Sequence, residues 1–229
     1  MATRWGICSA GKISHDKPSL LETTRYLYPF TIVAVAAWKL QDAQEYAKKH
    51  SIPQAYGSYE ELARDPEIEV VYVGTIHPYH LPVGMLFMKA QKNVLCENPM
   101  AMNLREVALP LPRPPLLMLQ AVWTRFFPAS LEIERLLSQG EVVEVNIVKA
   151  DFGARLMHVP RAVEKELGGG ALLDISIYCL QFICMVYNGE KPECIQILGV
   201  LSFSYWGYPT SPLPIGDILL VLYLLGISS

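Results

Sequence analysis

An aspartate and a tyrosine four residues apart form a pair that could handle a proton. Asp174 and Tyr178 lie in the run GGGALLDISIY, which opens a predicted helix ending at Val186. On a helix, side chains at i and i+4 project from one face, so both groups point toward a common position. A tyrosine hydroxyl can act there as a general acid or base. The alternative is a buried tyrosine at a contact between a helix and a sheet.

A second candidate group follows a short apolar strand within residues 93–99, NVLCENP. This strand comes after an opening strand–turn–helix unit, and in a nucleotide-binding sheet the later strand ends lie beside the cofactor. Glu97 and Asn98 end the strand, and we therefore expect them at the site. The Asn98 amide can donate hydrogen bonds but brings no charge.

The opening unit contains a turn of the kind that accepts a phosphate. Ser9-Ala10-Gly11-Lys12-Ile13-Ser14 follows the first strand and opens a helix. Glycines in such a turn let the backbone approach a pyrophosphate, which binds free N–H groups at the helix N-terminus. Gly11 is the one glycine here, and Ser9 and Ser14 occupy the flanking positions. A strand–helix turn with one glycine is common, so an ordinary connection is the alternative.

Alternating strands and helices position these groups. We predict strands over Arg4–Ser9, Thr31–Ala37 and Glu69–Gly74, and helices over Gln41–His50 and Val83–Ala90. Continuous apolar runs of this length are typical of parallel strands that are covered on both faces. The predicted fold class is therefore α/β, a Rossmann-type doubly wound parallel sheet, followed by an α+β substrate domain.

The alternation breaks at Glu106–Leu119, where four prolines fall at Pro110, Pro112, Pro114 and Pro115. Proline removes backbone donors and clashes with the preceding turn, so we expect no regular helix there. Beyond this stretch we predict a helix over Leu131–Gln139 and a strand over Val142–Phe152. The predicted domains are 1–122 for dinucleotide binding, 123–198 for substrate and catalysis, and 199–229 for a divergent tail.

Composition limits the class of protein. The 229 residues are 52% hydrophobic and 18% charged, with a formal net charge of −3. A packed core is expected, and the lack of a long basic run argues against nucleic acid as a partner. Five cysteines without metal-type spacing predict reduced thiols in a cytoplasmic protein. The apolar segment Ile218–Leu225 is too short to span a bilayer, so no membrane partner is expected.

Together these motifs resemble the Gfo/Idh/MocA family of oxidoreductases. That family carries Glu-Lys-Pro where this chain has Glu97-Asn98-Pro99, and Asp-x-Gly-x-Tyr/His where it has Asp174 to Tyr178. The resemblance implies that Tyr178 transfers the proton and Asp174 positions the substrate. It also implies that the family lysine, replaced here by Asn98, reaches the substrate hydroxyl. Ser176 stands where the family has glycine, and we expect its side chain to crowd the nicotinamide.

The resemblance further implies a site for NADP. Trp38 and Lys39 follow the second strand, where an acid would bind the ribose hydroxyls of NAD. Lys39 instead offers a point charge for the 2′-phosphate, and Trp38 either stacks on adenine or is an ordinary exposed aromatic. The cofactor-binding set that the resemblance implies is Ser9, Gly11, Lys12, Ile13, Trp38, Lys39, Tyr72, Thr75, His80 and Glu97.

A histidine pair, His77 and His80, raises the alternative of a metal site in the loop after the third predicted strand. Pro78 lies between them and prevents a regular helix, and no third ligand is apparent. We therefore predict no metal. For His80, capping of the following helix is a second alternative to contact with the cofactor.

A substrate pocket is indicated by the run WTRFFPA at 123–129 and by Phe152. Aromatic walls with one fixed cation suit flat, apolar diols, although aromatic residues at such spacing also form ordinary cores. The resemblance places Trp123, Arg125 and Phe152 in this pocket. Within the family the chain is most similar to members that use NADP to oxidise trans-dihydrodiols or D-xylose. The expected partner is thus a small molecule, a trans-dihydrodiol or an aldopentose.

Two functions are consistent with these motifs. The first is an NADP-dependent oxidoreductase that transfers a hydride between a carbinol carbon and nicotinamide. The alternative is a catalytically dead, truncated protein that still binds the cofactor, favoured by Asn98, by the proline run and by the divergent tail. The family extends well beyond the matched part, so the substrate domain is expected to be incomplete. The resemblance implies a homodimer formed through strands of the second domain that this chain mostly lacks, and an arginine of that interface where Asn146 stands. We therefore expect the homodimer to be lost.

Overall fold

A six-stranded parallel sheet forms the centre of the N-terminal unit. The computed structural model describes residues 2–15, 30–108, 116–142, 145–154, 156, 158–190 and 218–223. The strands are β1 (Thr3–Cys8), β2 (Phe30–Ala36), β3 (Gln54–Tyr56), β4 (Val70–Val73), β5 (Asn93–Cys96) and β6 (Met118–Gln120). Their order is β3-β2-β1-β4-β5-β6, and each neighbouring pair is parallel. The predicted Rossmann-type sheet is confirmed.

Helices connect these strands. They are α1 (Leu40–His50), α2 (Tyr59–Arg64), α3 (His80–Lys89) and α4 (Leu104–Val107), and residues 12–15 are also helical. The α2 helix begins at a capping serine, since Ser58 Oγ accepts a hydrogen bond of 3.2 Å from the Glu61 N–H. The α3 helix begins three residues before the predicted start. Pro82 is tolerated there because the N–H groups of a first turn have no helical partner.

Apolar side chains cover both faces of the sheet. Leu62, Phe87 and Val94 belong to the cluster on one face, and each is at most 2% exposed. Ile7 and Tyr46 belong to the cluster on the other face and are equally buried. Because the strands are buried on both sides, they read as continuous apolar runs, and the polar groups collect at the strand ends.

The chain divides into two compact units, Met1–Ala121 and Val122–Ser229. The second unit begins with a 3₁₀ turn, Trp123–Phe126, and is of α+β type. Its helices are α5 (Pro128–Ser138), α6 (Pro160–Val163), α7 (Ala171–Asp174) and α8 (Ser176–Val186), with a second 3₁₀ turn at Lys165–Leu167. Its strands, β7 (Lys149–Ala154) and β8 (Ile218–Tyr223), pair antiparallel, with Lys149 opposite Tyr223.

Several elements differ from the sequence prediction. Strands β3 and β6 were not predicted; both have three residues. The strand expected over Val142–Phe152 is found at Lys149–Ala154, where half-buried and exposed residues alternate. The four prolines of the proline run and most of the divergent tail lie outside the described residues.

One helical stretch, Lys165–Val186, has the length and composition of a membrane span, with a mean hydropathy of 1.7. Positive φ angles of 77° at Gly168 and 128° at Gly170 interrupt it, and Ile175 separates α7 from α8. The longest uninterrupted helix in this stretch is therefore α8, with 11 residues. A span needs about 20 residues in one helix, because lipid offers no hydrogen bonds to a broken backbone.

Candidate dinucleotide and substrate sites

The turn after β1 has the backbone that a phosphate-binding turn requires. Ser9 takes a φ of 86°, in the left-handed region that glycine favours. Its N–H donates to the Ala36 carbonyl over 2.9 Å, and the Gly11 carbonyl accepts from the Ser14 N–H over 3.1 Å. The helix therefore starts directly after Gly11. The N–H groups of Lys12 and Ile13 lie in its first turn, where no preceding helical carbonyl can pair them.

Close packing of this first helical turn on β4 is the second requirement. A Cβ on Gly74 would lie 2.5 Å from Ser14 Oγ and 2.9 Å from Tyr72 Cε1. Ser14 is itself fully buried, and its hydroxyl has no hydrogen-bond partner among the described residues. In dinucleotide-binding turns a third glycine gives this helix–strand contact. Here the small residue Ser14 and Gly74 together give it, so the turn fits a dinucleotide.

A test of this packing is Gly74→Ala. We expect the added methyl group to lower the free energy of unfolding by about 1–3 kcal/mol, because Ser14 and Tyr72 are held in the core. Thermal unfolding followed by circular dichroism measures the change. Ser14→Gly in the Gly74→Ala background should recover part of the loss. Equal stability of Gly74→Ala and wild type would contradict this description of the contact.

Two aromatic side chains and a lysine lie at the ends of β2 and β4. Trp38 is 62% exposed, and its ring meets that of Tyr79 edge to face, with centroids 4.9 Å apart. Lys39 is exposed at the N-cap of α1. Sequence reasoning did not single out Tyr79, although it lies within the loop named for His80. The Trp38 ring is thus accessible to a flat ligand, and Lys39 is accessible to an anionic one.

His80, predicted to contact the cofactor, instead joins two loops from inside the unit. It is 1% exposed. Its Nδ1 lies 2.5 Å from the Pro99 carbonyl oxygen and its Nε2 lies 2.9 Å from that of Thr75. Burial lowers the pKa of His80, while the two carbonyls oppose this shift. With both ring nitrogens directed at the backbone, His80 positions the loops that follow β4 and β5.

Tyr72 and Glu97 were also predicted to bind the cofactor, but their side chains pair with each other. The Tyr72 hydroxyl donates to Glu97 Oε1 over 2.6 Å, and the residues are 3% and 7% exposed. Burial, and then the Glu97 carboxylate, raise the pKa of Tyr72 far above its ordinary value, so its hydroxyl stays protonated. This pair anchors the end of β5, next to Asn98. Asn98 itself is 7% exposed, and its peptide bond to Pro99 is cis.

In the second unit, two of the predicted pocket residues, Trp123 and Phe152, pack against Tyr178. Trp123 Nε1 donates to Tyr178 Oη over 2.8 Å. The Phe152 and Tyr178 ring centroids are 5.1 Å apart, and the Trp123 and Phe127 centroids are 5.0 Å apart. Arg125 is exposed on the same 3₁₀ turn as Trp123. Trp123 therefore contacts the Tyr178 hydroxyl, Phe152 packs against the Tyr178 ring, and Arg125 lies on the element that carries Trp123.

The predicted convergence of Asp174 and Tyr178 is wrong, because they do not share one regular helix. Ile175 departs from helical angles, with φ −126° and ψ −17°, and separates α7 from α8. The Asp174 carboxylate accepts a hydrogen bond of 2.9 Å from Arg161 Nη1, whereas Tyr178 binds Trp123. Sequence reasoning missed Arg161, because it lies 13 residues from Asp174 and belongs to no recognised motif.

Ser176, expected from the sequence to crowd the nicotinamide, directs its hydroxyl at the backbone. It is 2% exposed, and its Oγ donates to the Leu172 carbonyl in the preceding turn. A serine inside a helical stretch commonly bonds back to a carbonyl four residues earlier, and such bonds often accompany a bend. Ser176 therefore acts on the backbone at the junction of α7 and α8. Elsewhere in the described residues, no three His, Cys, Asp or Glu side chains come together as a metal site would require.

A parallel sheet with a phosphate-type turn at its first strand defines a dinucleotide-binding protein. Residues 3–108 match the family described as the oxidoreductase family with an NAD-binding Rossmann fold, Gfo/Idh/MocA. Over these residues the chain matches this family, and the resemblance that its motifs indicated is confirmed.

Curated relatives extend the match into the second unit. The chain is 66% identical over 203 residues to trans-1,2-dihydrobenzene-1,2-diol dehydrogenase of Danio rerio, covering 87% of this chain and 60% of the relative. It is 50% identical over 202 residues to the Homo sapiens protein of the same name, with 87% and 60% covered. The chain thus spans about 60% of the length of these relatives.

Solved structures agree on the fold. An NAD-binding oxidoreductase from Klebsiella pneumoniae superposes with a TM-score of 0.71 at 23% identity, over 81% of this chain and 53% of that chain. A levoglucosan dehydrogenase in complex with NADH and levoglucosan gives a TM-score of 0.70 at 19% identity, over 81% and 54%. At these identities the comparison concerns the fold alone.

Proposed function

We propose that this protein is an NADP-dependent dehydrogenase that oxidises a carbinol carbon of a trans-dihydrodiol. The observation that carries the proposal is the Tyr178 hydroxyl, which accepts a hydrogen bond from the Trp123 indole N–H, on a ring that packs against Phe152. The phenol oxygen accepts this bond, so the hydrogen of its own O–H group is not used in it and can face a substrate oxygen. The names of the curated relatives support the substrate class, and the aromatic walls suit a flat, apolar ring.

Each unit of the chain supplies one part of this chemistry. In the N-terminal unit, Ser9, Gly11 and the first turn of the helix would hold the pyrophosphate through backbone N–H groups. A bound nicotinamide nucleotide would supply the acceptor for the hydride of the carbinol carbon. In the second unit, Tyr178 would take the proton that leaves the substrate hydroxyl. Asn98 would at most orient that hydroxyl, because an amide brings no charge.

Turnover tests the proposal directly. Purified protein is mixed with NADP and either a trans-dihydrodiol or D-xylose, and NADPH is followed by its absorbance. We expect reduction of NADP with the dihydrodiol, at a low rate because residue 98 is asparagine. Bound NADP without turnover of either compound would support a protein that binds the cofactor but is not a catalyst.

Lys39 carries the preference for NADP over NAD in this proposal. It is an exposed cation, and residues 38 and 39 include no acid to bind ribose hydroxyls. A lysine lacks the planar fork of arginine and is exposed here, so we expect only about three- to tenfold tighter binding of NADPH than of NADH. Fluorescence titration measures both affinities.

The matched variant is Lys39→Glu, which should remove the preference by weakening NADPH binding while NADH binding changes less. Lys48→Glu, at the other end of α1, is the control for net charge and should leave the preference in place. Equal affinities for the two cofactors in wild type would contradict this part of the proposal.

The remaining parts of the proposal concern partners and location. The net charge of −3 supports a protein that does not bind nucleic acid. Cys8, Cys96 and Cys179 are buried as free thiols, which supports a reducing, cytoplasmic location. We retain the expectation that the family homodimer does not form.

A further inference from the structure

We infer that Trp123 is a positioning residue for proton transfer, acting through its indole N–H as well as through its ring. This inference rests on the proposed function, in which Tyr178 takes the proton of the substrate hydroxyl. It assigns the N–H a separate part: to hold the phenol oxygen and to stabilise its ionised form.

The contact fixes which atom donates. Trp123 Nε1 and Tyr178 Oη are 2.8 Å apart, and the ring centroids are 5.3 Å apart at 66°. An indole nitrogen can only donate, so the phenol oxygen is the acceptor. The phenol hydrogen therefore points elsewhere, toward a substrate oxygen when one is bound.

The indole is held in place by its own element. Trp123 begins the 3₁₀ turn, and the next residue, Thr124, donates from its Oγ1 to Gln181 Oε1 on α8 over 3.3 Å. Ser130 Oγ donates to the Thr124 carbonyl over 2.7 Å. Since Tyr178 also lies on α8, these bonds fix the donor relative to the helix that carries its acceptor. A preorganised donor needs no rearrangement when charge develops on the phenol oxygen.

The N–H favours the phenolate over the phenol. A hydrogen bond to an ionised acceptor is about twice as strong as one to a neutral acceptor. During oxidation the substrate O–H bond breaks and a new O–H bond forms at Tyr178 Oη, so the phenolate is the proton-accepting form. Without the N–H, the oxygen that takes the proton loses this hydrogen bond and is no longer held by Trp123.

Trp123→Phe removes the donor and keeps an aromatic ring. We expect kcat to fall about tenfold while KM changes little, because the lost hydrogen bond acts on the oxygen that takes the proton. A change in pocket shape alone would instead raise KM. Phe127→Leu is the matched control, because Phe127 packs on the Trp123 ring and leaves the N–H intact.

A second readout is independent of turnover. The rate of hydrogen exchange at the Trp123 indole N–H, measured by ¹H–¹⁵N NMR, reports this hydrogen bond, and Trp123→Phe assigns the signal. The inference expects faster exchange in Tyr178→Phe, which removes the acceptor, than in Phe127→Leu, which keeps it. Unchanged exchange in folded Tyr178→Phe, or an equal increase in both variants, would overturn it. A wild-type protein without turnover that still shows this difference would overturn the proposed function and leave the hydrogen-bond assignment supported.

Discussion

Asn98→Lys is expected to raise dehydrogenase activity by about one to two powers of ten. The family carries lysine at this position, and the resemblance assigns that lysine to the substrate hydroxyl. An ammonium group at the substrate hydroxyl stabilises negative charge that develops on the reacting oxygen. The surroundings of the position are intact, because Tyr72 holds Glu97 and His80 contacts the Pro99 carbonyl.

Initial rates of NADP reduction with a trans-dihydrodiol measure the effect of Asn98→Lys. Asn98→Met is the matched control, since methionine has similar length but no charge, and it should not raise the rate. NADPH affinity should change much less than turnover. Wild type already as active as the lysine variant would show that an amide suffices. Inactivity of both, with NADPH still bound, would place the defect elsewhere in the chain.

Tyr178→Phe is expected to lower turnover by about two to four powers of ten, the usual contribution of a positioned acid or base. The change removes one oxygen, keeps the ring against Phe152 and leaves the Trp123 N–H without this acceptor. Because Tyr178 belongs to the second unit, NADPH binding by the N-terminal unit should persist.

Single-turnover absorbance with enzyme in excess measures the chemical step in Tyr178→Phe. Tyr187→Phe, at the C-terminal end of the same helix, is the control and should retain wild-type turnover. Loss of less than about fivefold in Tyr178→Phe would mean that another group takes the proton.

The sheet was predictable from sequence because its strands are buried on both faces and therefore apolar without interruption. β3 was missed because Gln54–Tyr56 has three half-exposed or exposed residues and no such run. β6 was missed because it closely follows the prolines, which indicate a loop and interrupt the hydrophobic periodicity from which a strand is predicted. Short strands like these form because a neighbouring strand pairs with them, which local sequence does not show.

The sequence predicted which segments of the chain form the candidate sites. It predicted less well which partner each side chain contacts. Trp123, Phe152 and Tyr178 do come together, as the motifs indicated. The backbone contacts of His80 could not be predicted, because they depend on loops that follow two different strands. The shared helix of Asp174 and Tyr178 was wrongly predicted, because a single non-helical residue, Ile175, interrupts the i,i+4 relation.

The position of His80 between two loops has a consequence for how substitutions combine. Thr75 and Pro99 are far apart in sequence, yet their carbonyl oxygens contact the two nitrogens of one ring. A backbone shift at either loop changes the geometry available to the other, because the ring is planar and fully enclosed. The free-energy effects of substitutions in the two loops are therefore not additive. During evolution, the loops after β4 and β5 are therefore expected to change together, because whether a substitution in one loop is tolerated depends on the residues of the other.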